Sequence, residues 1–358
     1  MKRIAVLPGD GIGPEVTAEA VRVLTAAVPS VVCTEARVGA CAIREDGAAL
    51  PPASLALCRE SDAILFGAVG GPGFEGRPPS ERPEAALLQL RAAFGLYANL
   101  RPARAFPGLD DCSPLRPERV RGTDMIIVRE LTGGLYYGEK SLREEHGVSV
   151  ARDELIYRAP EIERIARTAF ELARTRRRRV ASVDKSNVLM SSRLWRQILT
   201  DVARDYPDVE LEHILVDNAA MQLVRDPRAF DVIVTENMFG DILSDEAAAI
   251  AGSIGVAASA SLGAPGENRF GLYEPIAGTA PDIAGRGIAN PAAAILSAAM
   301  LARFSLGDEA AARRIERAVE ETLEHGPRTA DLGPANPVGT RAFADAVLAR
   351  VEEAVPAG

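Results

Sequence analysis

At 358 residues, with 47% hydrophobic and 25% charged side chains, the chain exceeds one core of ordinary size and calls for two domains or one large α/β domain. Its net charge of −9 argues against nucleic acid or an anionic membrane as a partner. No apolar run approaches the length of a membrane span, and Met1-Lys2-Arg3 is followed by too few apolar residues for a signal peptide.

The cysteines Cys33, Cys41, Cys58 and Cys112 show no CxxC spacing and read as reduced, mostly buried thiols of a cytoplasmic protein. Of 41 cationic residues only Lys2, Lys140 and Lys185 are lysines. An interior lysine therefore calls for a reason, and an amine that exchanges a proton is one.

Arg3-Ile4-Ala5-Val6-Leu7 predicts a strand, followed by Pro8-Gly9-Asp10-Gly11-Ile12-Gly13-Pro14-Glu15 and an amphipathic helix to about Ala27. The turn suggests a dinucleotide fingerprint, but the third glycine falls on Pro14, which argues against a standard Rossmann site. Ala63 to Val69 is a second strand, opening into Gly70-Gly71-Pro72-Gly73 and a Pro-rich loop that suits a cofactor or a lid. A helix is predicted from Glu84 to Ala98, with Leu87, Leu88 and Arg91 within one turn. Asn99-Leu100-Arg101-Pro102 ends this unit, and Met125 to Glu130 is a further strand. Arg91, Arg101 and Arg129 thus stand at or near element ends. Three guanidiniums there would bind a dicarboxylate, each fork matching one carboxylate; surface ion pairs are the other reading.

Glu139 to Arg158 is polar and poorly periodic, an excursion suited to gripping another subunit. Pro160 to Arg174 is a clear amphipathic helix, and Arg176-Arg177-Arg178-Arg179 reads as its solvated end. Lys185 falls at the end of the short strand Val180 to Val183, where chemistry is expected. Asp217 closes the strand Glu210 to Val216, either as a metal ligand or as the cap of a helix from Ala219 to Val224.

Asp231-Val232-Ile233-Val234 is a buried strand leading into Thr235-Glu236-Asn237-Met238-Phe239-Gly240-Asp241-Ile242-Leu243-Ser244-Asp245-Glu246. With a helix begun by Asp241, the Asp241 and Asp245 carboxylates share a face about 6 Å apart along the axis. Such a pair suits Mg²⁺ or Mn²⁺, which take hard oxygen ligands. The alternative makes Asp241 an N-cap and Asp245 a first-turn carboxylate. Gly252 to Gly271 is small and loop-like. Leu272 to Pro291 is turn-rich, Ala292 to Phe304 is a hydrophobic helix, and helices over Asp308 to Leu323 and Thr340 to Val355 close the chain.

Asn237-x-Phe239-Gly240-Asp241-Ile242-Leu243-Ser244-Asp245, with Gly278-x-Ala280-Pro281-Asp282-Ile283-Ala284-Gly285 and Asn290-Pro291, resembles the β-decarboxylating dehydrogenases that act on isocitrate, isopropylmalate, tartrate and D-malate, and most of all their isopropylmalate branch. The resemblance implies a two-domain α/β fold with a discontinuous first domain: 1–98 and 249–358 for NAD, and 99–248 for substrate, metal and dimerisation, with an arm at about 137–158. It implies Tyr136 and Lys185 as the catalytic pair, and Asp217, Asp241 and Asp245 as the metal carboxylates. Arg91, Arg101, Arg129 and Asp217 would bind substrate, with Glu84, Leu87, Leu88 and Val188 around its alkyl group. For NAD it implies Ile12, Gly71, Glu84, Glu274, Gly278, Thr279, Ala280, Asp282, Ile283 and Asn290. Asp282-Ile283 matches the NAD-using pattern, since a carboxylate favours a ribose 2′-hydroxyl over a 2′-phosphate. Some members place His before Gly278 where this chain has Ala277, which predicts an altered NAD affinity.

The implied partners are a small dicarboxylate substrate and a second copy of the chain, in a homodimer where Lys185 and Asp217 reach into the other protomer's site. The implied reaction oxidises (2R,3S)-3-isopropylmalate with NAD⁺ and Mg²⁺ or Mn²⁺, losing CO₂ to give 4-methyl-2-oxopentanoate in leucine biosynthesis. The same chemistry on D-malate, tartrate or another 3-alkylmalate is the runner-up. A non-catalytic regulatory homologue is disfavoured because Tyr136, Lys185 and the aspartates occur together.

Overall fold

The computed structural model of the chain describes residues 1–266 and 269–354. Its strands are β1 (Lys2–Gly9), β2 (Val31–Glu35), β3 (Ala63–Ala68), β4 (Ala98–Arg104), β5 (Asp124–Glu130), β6 (Lys140–Glu145), β7 (Val148–Asp153), β8 (Arg179–Asp184), β9 (Glu210–Leu215), β10 (Val232–Thr235), β11 (Ala258–Leu262) and β12 (Gly271–Pro275). The chain divides into two compact units. One comprises Met1–Leu96, Ala105–Pro117 and the residues from Ala251 onward; the other comprises Tyr97–Arg104 and Glu118–Ile250.

The first unit orders its strands β2-β1-β3-β12-β11. β1 runs parallel to β2 and β3, β3 parallel to β12, and β11 antiparallel to β12. Ile4, Ala5, Val6 and Leu7 on β1 and Ile64, Leu65 and Phe66 on β3 are all buried. Such unbroken apolar runs belong to parallel strands covered on both faces, which is why they carry no alternation. Helices Gly13–Ala27, Ala292–Phe304, Glu309–His325 and Thr340–Glu353 pack against one another. Helix Ala292–Phe304 is buried from Ala292 to Ala302, and its alanines let the neighbouring elements approach closely.

Two expectations are corrected in this unit. Helix Ala85–Ala93 ends before Gly95, whose φ of +58° no helix interior adopts, and Ala98 already belongs to β4. The small-residue stretch from Gly252 contains β11, whose Ala-Ser-Ala-Ser-Leu is wholly buried; the period-2 signal is hidden because both faces are apolar or small. The expected last helix stops at Glu353, and Val355 lies outside the described residues.

The second unit orders its strands β4-β5-β10-β8-β9, with β5, β10, β8 and β9 parallel and β4 antiparallel to β5. Helices Ala159–Arg174 and Met190–Ala203 pack together. The polar excursion is an antiparallel hairpin, β6 with β7, pairing Lys140 with Asp153 and Glu145 with Val148. The arginine run is not merely a solvated helix end. Arg176 Nε donates to the buried Asp231 carboxylate at 2.8 Å, and its Nη2 to Asp124 Oδ1 at 3.0 Å. Of the four free cysteines only Cys58 is buried, the others being half-buried, which corrects the expectation of mostly buried thiols. Burial pushes the Cys58 thiol up to about 12. Among the described residues no helix is long and apolar enough to cross a membrane.

Candidate active site

Helix Asn237–Ala251 starts directly after β10, so Asp241 lies inside it and is not its cap. Asp241 and Asp245 therefore stand one turn apart on one face, and two arginines come to them from neighbouring strands. Arg101, on β4, places Nη1 3.3 Å from Asp241 Oδ1 and 3.4 Å from Asp245 Oδ1, and donates to Ser244 Oγ at 2.7 Å. Arg129, near the end of β5, is buried; its Nη1 donates to Asp241 Oδ1 and its Nε to Asn237 Oδ1 at 3.0 Å. The Asn99 side chain, itself fully buried, orients Arg101 by accepting from Nε at 2.7 Å.

Tyr136 enters the same cluster from a 3₁₀ turn, Gly134–Tyr136, just past β5. Its hydroxyl donates to Asp241 Oδ2 at 2.8 Å, and its ring centroid lies 5.5 Å from the Arg129 guanidinium carbon. The buried Glu130 carboxylate sets that turn by accepting from Thr132 N and Gly133 N, each at 2.8 Å. Burial, and then Asp241 accepting its proton, pushes the Tyr136 phenol above its ordinary range. Asp245 is also pushed up, chiefly by burial, with Asp241 adding to the shift and Arg101 opposing it.

Gly240 is needed where Arg129 crosses the helix, because a Cβ there would lie 2.6 Å from Arg129 Cγ. Gly240→Ala is expected to displace Arg129, cutting kcat/KM by about 10-fold or more and costing about 1–3 kcal/mol of stability through overpacking. Wild-type kcat/KM and Tm in that variant would show that Arg129 need not lie there.

Lys185 and Asp217 form a second pair, at the end of β8 and in the first turn of helix Val216–Arg225. Lys185 Nζ lies 2.9 Å from Asp217 Oδ1, and this contact holds the Asp217 carboxyl below its ordinary range. Leu215 is the residue at the helix cap, so Asp217 does not cap it. Val188, three residues after Lys185, is exposed. Among the described residues no three His, Cys, Asp or Glu side chains gather as a metal set.

The remaining predicted residues lie in the first unit. Arg91 is buried rather than at the surface; Nη2 donates to Glu274 Oε1 at 3.2 Å, and its buried Nε has no hydrogen-bond partner. An unpaired buried N–H of this kind is costly unless a ligand oxygen meets it. Leu87 is half-buried against the core and Leu88 is exposed.

The Ile12 amide donates to Thr279 O at 2.8 Å. Gly11, at φ +59°, lets this approach happen, since a Cβ there would lie 2.0 Å from Thr279 O. The glycine-rich turn thus admits a loop of the chain itself, the physical reason its spacing departs from a dinucleotide fingerprint. A Cβ at Gly70 would stand 3.3 Å from Glu84 Oε1 and 3.5 Å from Thr279 Cγ2, so Glu84, Thr279 and the Gly70-Gly71 turn share one locale. Ala280 adopts a left-handed φ of +37°, a strain that gathers at ligand-binding loops. Gly278 and Asp282 are exposed, and Asp282 has no hydrogen-bond or ion-pair partner among the described residues. Ile283 N donates to Ala280 O at 3.1 Å, closing the turn. Asn290 is engaged inside the unit, its Nδ2 donating to Asp331 Oδ2 at 3.0 Å and its Oδ1 accepting from Ala292 N at 2.9 Å.

The isocitrate/isopropylmalate dehydrogenase family model matches residues 3–347. The chain belongs to the isocitrate/isopropylmalate dehydrogenase family. It is 57% identical over 337 residues to a 3-isopropylmalate dehydrogenase of Geobacillus kaustophilus, covering 93% of this chain and 90% of that protein. It is 54% identical over 354 residues to one of Anaeromyxobacter dehalogenans, covering 98% and 99%. Among solved structures it resembles an isocitrate dehydrogenase of Methylococcus capsulatus, with a TM-score of 0.88 and 38% identity over 98% of this chain and 100% of that one. A β-decarboxylating dehydrogenase of Thermococcus kodakarensis gives a TM-score of 0.81 and 38% identity, covering 99% and 97%.

Within this isocitrate/isopropylmalate dehydrogenase, several supporting groups carried no role in the sequence reading. Asn99, Asn237 and Ser244 lie inside quoted motifs; the contacts of Asn237 with Arg129 and of Ser244 with Arg101 are not local in sequence, whereas Asn99 stands two residues from Arg101. Asp10 is buried and accepts from Ala40 N at 2.7 Å, Cys41 N at 2.8 Å and Gly70 N at 3.1 Å. Its one visible signal was an acidic residue between the two glycines of a tight turn.

Proposed function

We propose that this protein catalyses the NAD-dependent oxidative decarboxylation of (2R,3S)-3-isopropylmalate to 4-methyl-2-oxopentanoate and CO₂, a step of leucine biosynthesis, in the cytoplasm. The observation that carries this reading is the cluster on helix Asn237–Ala251, where Asp241 and Asp245 meet Arg101, Arg129 and the Tyr136 hydroxyl. Carboxylates, guanidiniums and a phenol with a raised pKa together provide groups for a cation, for an anionic substrate and for a proton.

Asp241 and Asp245 supply hard oxygen donors that fit Mg²⁺ or Mn²⁺, with Asp217 as the third ligand. A bound divalent cation would draw charge from the substrate hydroxyl oxygen and then from the enolate left by loss of CO₂. Arg91, Arg101 and Arg129 hold the substrate carboxylates, and the unpaired Arg91 Nε supports this for Arg91. Lys185 takes the proton of the C2 hydroxyl, and Tyr136 returns one to the enolate carbon. NAD is assigned to the first unit, at Ile12, Gly71, Glu84, Glu274, Gly278, Thr279, Ala280, Asp282, Ile283 and Asn290. The unpaired Asp282 carboxylate fits two ribose hydroxyls and repels a 2′-phosphate. The second unit is assigned substrate, metal and dimerisation.

Lys185 and Asp217 serve the site of the other protomer in a homodimer. Exposed Met221 and Val224 on the Asp217 helix, and exposed Ile242 next to Asp241, support that pairing, as do Leu142 and Val148 on the hairpin.

Glu84, Leu87, Leu88 and Val188 surround the alkyl group, which favours isopropylmalate over D-malate, tartrate and isocitrate. Following NADH absorbance over that panel, with NAD⁺ and NADP⁺ compared, tests the reading. Turnover is expected to be fastest with 3-isopropylmalate and NAD⁺; turnover of none of the four would leave a binding protein. In Leu88→Ser the preference for 3-isopropylmalate over D-malate is expected to fall roughly 10-fold, the scale of discrimination an apolar contact gives. An unaltered ratio would remove Leu88 from the pocket.

A further inference from the structure

Glu15, in the first turn of helix Gly13–Ala27, is absorbed by no step above, yet both of its carboxylate oxygens are engaged. Oε1 accepts from Gly285 N at 3.1 Å and Oε2 from Gly287 N at 3.0 Å, about 270 positions later in the chain. The two glycines lie three and five residues past Asp282, inside the segment that also carries Ile283 and Asn290. The near end of the segment is tied to the same turn by Ile12 N donating to Thr279 O at 2.8 Å. Its far end is tied down by Thr340 N donating to Gly287 O at 2.8 Å and Thr340 Oγ1 to Ala289 O at 2.6 Å. Between these anchors the middle of the segment, where the exposed Asp282 stands, is held to the helix by Glu15.

We propose that Glu15 is a positioning residue for the cofactor: its carboxylate clamps the Gly285 and Gly287 amides and so fixes the loop that presents Asp282 and Ile283 to the adenine ribose of NAD. The inference rests on the assignment of Asp282 and Ile283 to NAD. A charged acceptor shared by two amides is stronger than a neutral pair and fixes both distance and direction. A loop already held in its binding conformation also pays no ordering cost when the ligand arrives. Glu15 itself touches no cofactor atom in this account. The turn that fails the dinucleotide fingerprint still serves the dinucleotide, by holding the loop that recognises it.

The test uses the full-length protein and compares Glu15→Gln, Glu15→Ala and Asp282→Ala with wild type. In Glu15→Gln one oxygen becomes an NH₂ that cannot accept, so one clamp bond is lost with little change in volume. NADH binding, read by fluorescence titration, is expected to weaken about 5- to 20-fold in both Glu15 variants. The preference for NADH over NADPH should narrow, while affinity for the dicarboxylate alone and Tm stay close to wild type. In protein without cofactor, hydrogen exchange of a peptide spanning 283–289 should quicken in the Glu15 variants relative to wild type.

If Asp282→Ala weakens NADH but neither Glu15 variant does, the clamp is not needed and the inference is overturned while the NAD assignment stands. If Asp282→Ala leaves NADH binding intact, the assignment fails and the inference with it. If the Glu15 variants lower Tm and weaken dicarboxylate and NADH alike, Glu15 is a general structural residue, which also overturns the proposal.

Discussion

Tyr136→Phe is expected to lower kcat by about 10²–10³-fold while leaving Tm near the wild-type value. The hydroxyl is the only atom removed, and it is the atom that donates to Asp241 at 2.8 Å. The side chain is 45% exposed, so the fold loses little burial with it. A group that protonates the enolate carbon acts late in the reaction, so the defect should appear in kcat more than in the KM for the dicarboxylate. Steady-state kinetics with Mn²⁺ and NAD⁺ saturating checks this. A kcat within a factor of about two of wild type would remove Tyr136 from proton transfer.

Lys185→Met is expected to cost about 10²–10⁴-fold in turnover, since the hydroxyl proton then has no positioned acceptor. Asp217, which Lys185 holds low, should drift up toward an ordinary carboxylate once its partner is gone. The proposed homodimer adds a sharper consequence, because Lys185 and Tyr136 of one site come from different protomers. Mixing Lys185→Met with Tyr136→Phe should restore activity. After random subunit exchange, half of the dimers are mixed and each mixed dimer holds one intact site, so roughly a quarter of wild-type turnover is expected. No recovery, with exchange shown independently by mass, would mean that each site is built within a single chain.

The parallel strands β1, β3, β5 and β10 were legible because their apolar runs are unbroken, and helix Asn237–Ala251 because a buried strand and an alanine-rich stretch frame it. The one-turn spacing of Asp241 and Asp245 was legible, while the choice of a metal over a helix cap came only with the family resemblance; the structure adds the arginines and the phenol that converge on the pair. β11 was hidden because Ala and Ser buried on both faces carry no alternation, and the β6–β7 hairpin because its exposed, charged strands carry no apolar stripe. For Arg91 a surface ion pair stayed open beside carboxylate binding because nothing local reveals that Glu274, 183 positions away, buries with it. Asp10 and Glu15 were illegible for the same reason. Each accepts backbone N–H groups from distant segments, and a sequence window shows the carboxylate without the amides it holds.

The proposed function requires one site to couple oxidation of a hydroxy-dicarboxylate to loss of CO₂, using a divalent cation at Asp241 and Asp245. The most direct test incubates the protein with (2R,3S)-3-isopropylmalate, NAD⁺ and Mn²⁺ and measures NADH and CO₂ together, before and after chelation by EDTA. Equal amounts of the two products are predicted, both lost with the metal and both restored by Mn²⁺ or Mg²⁺. NADH without CO₂, or undiminished formation of both after chelation, would contradict it.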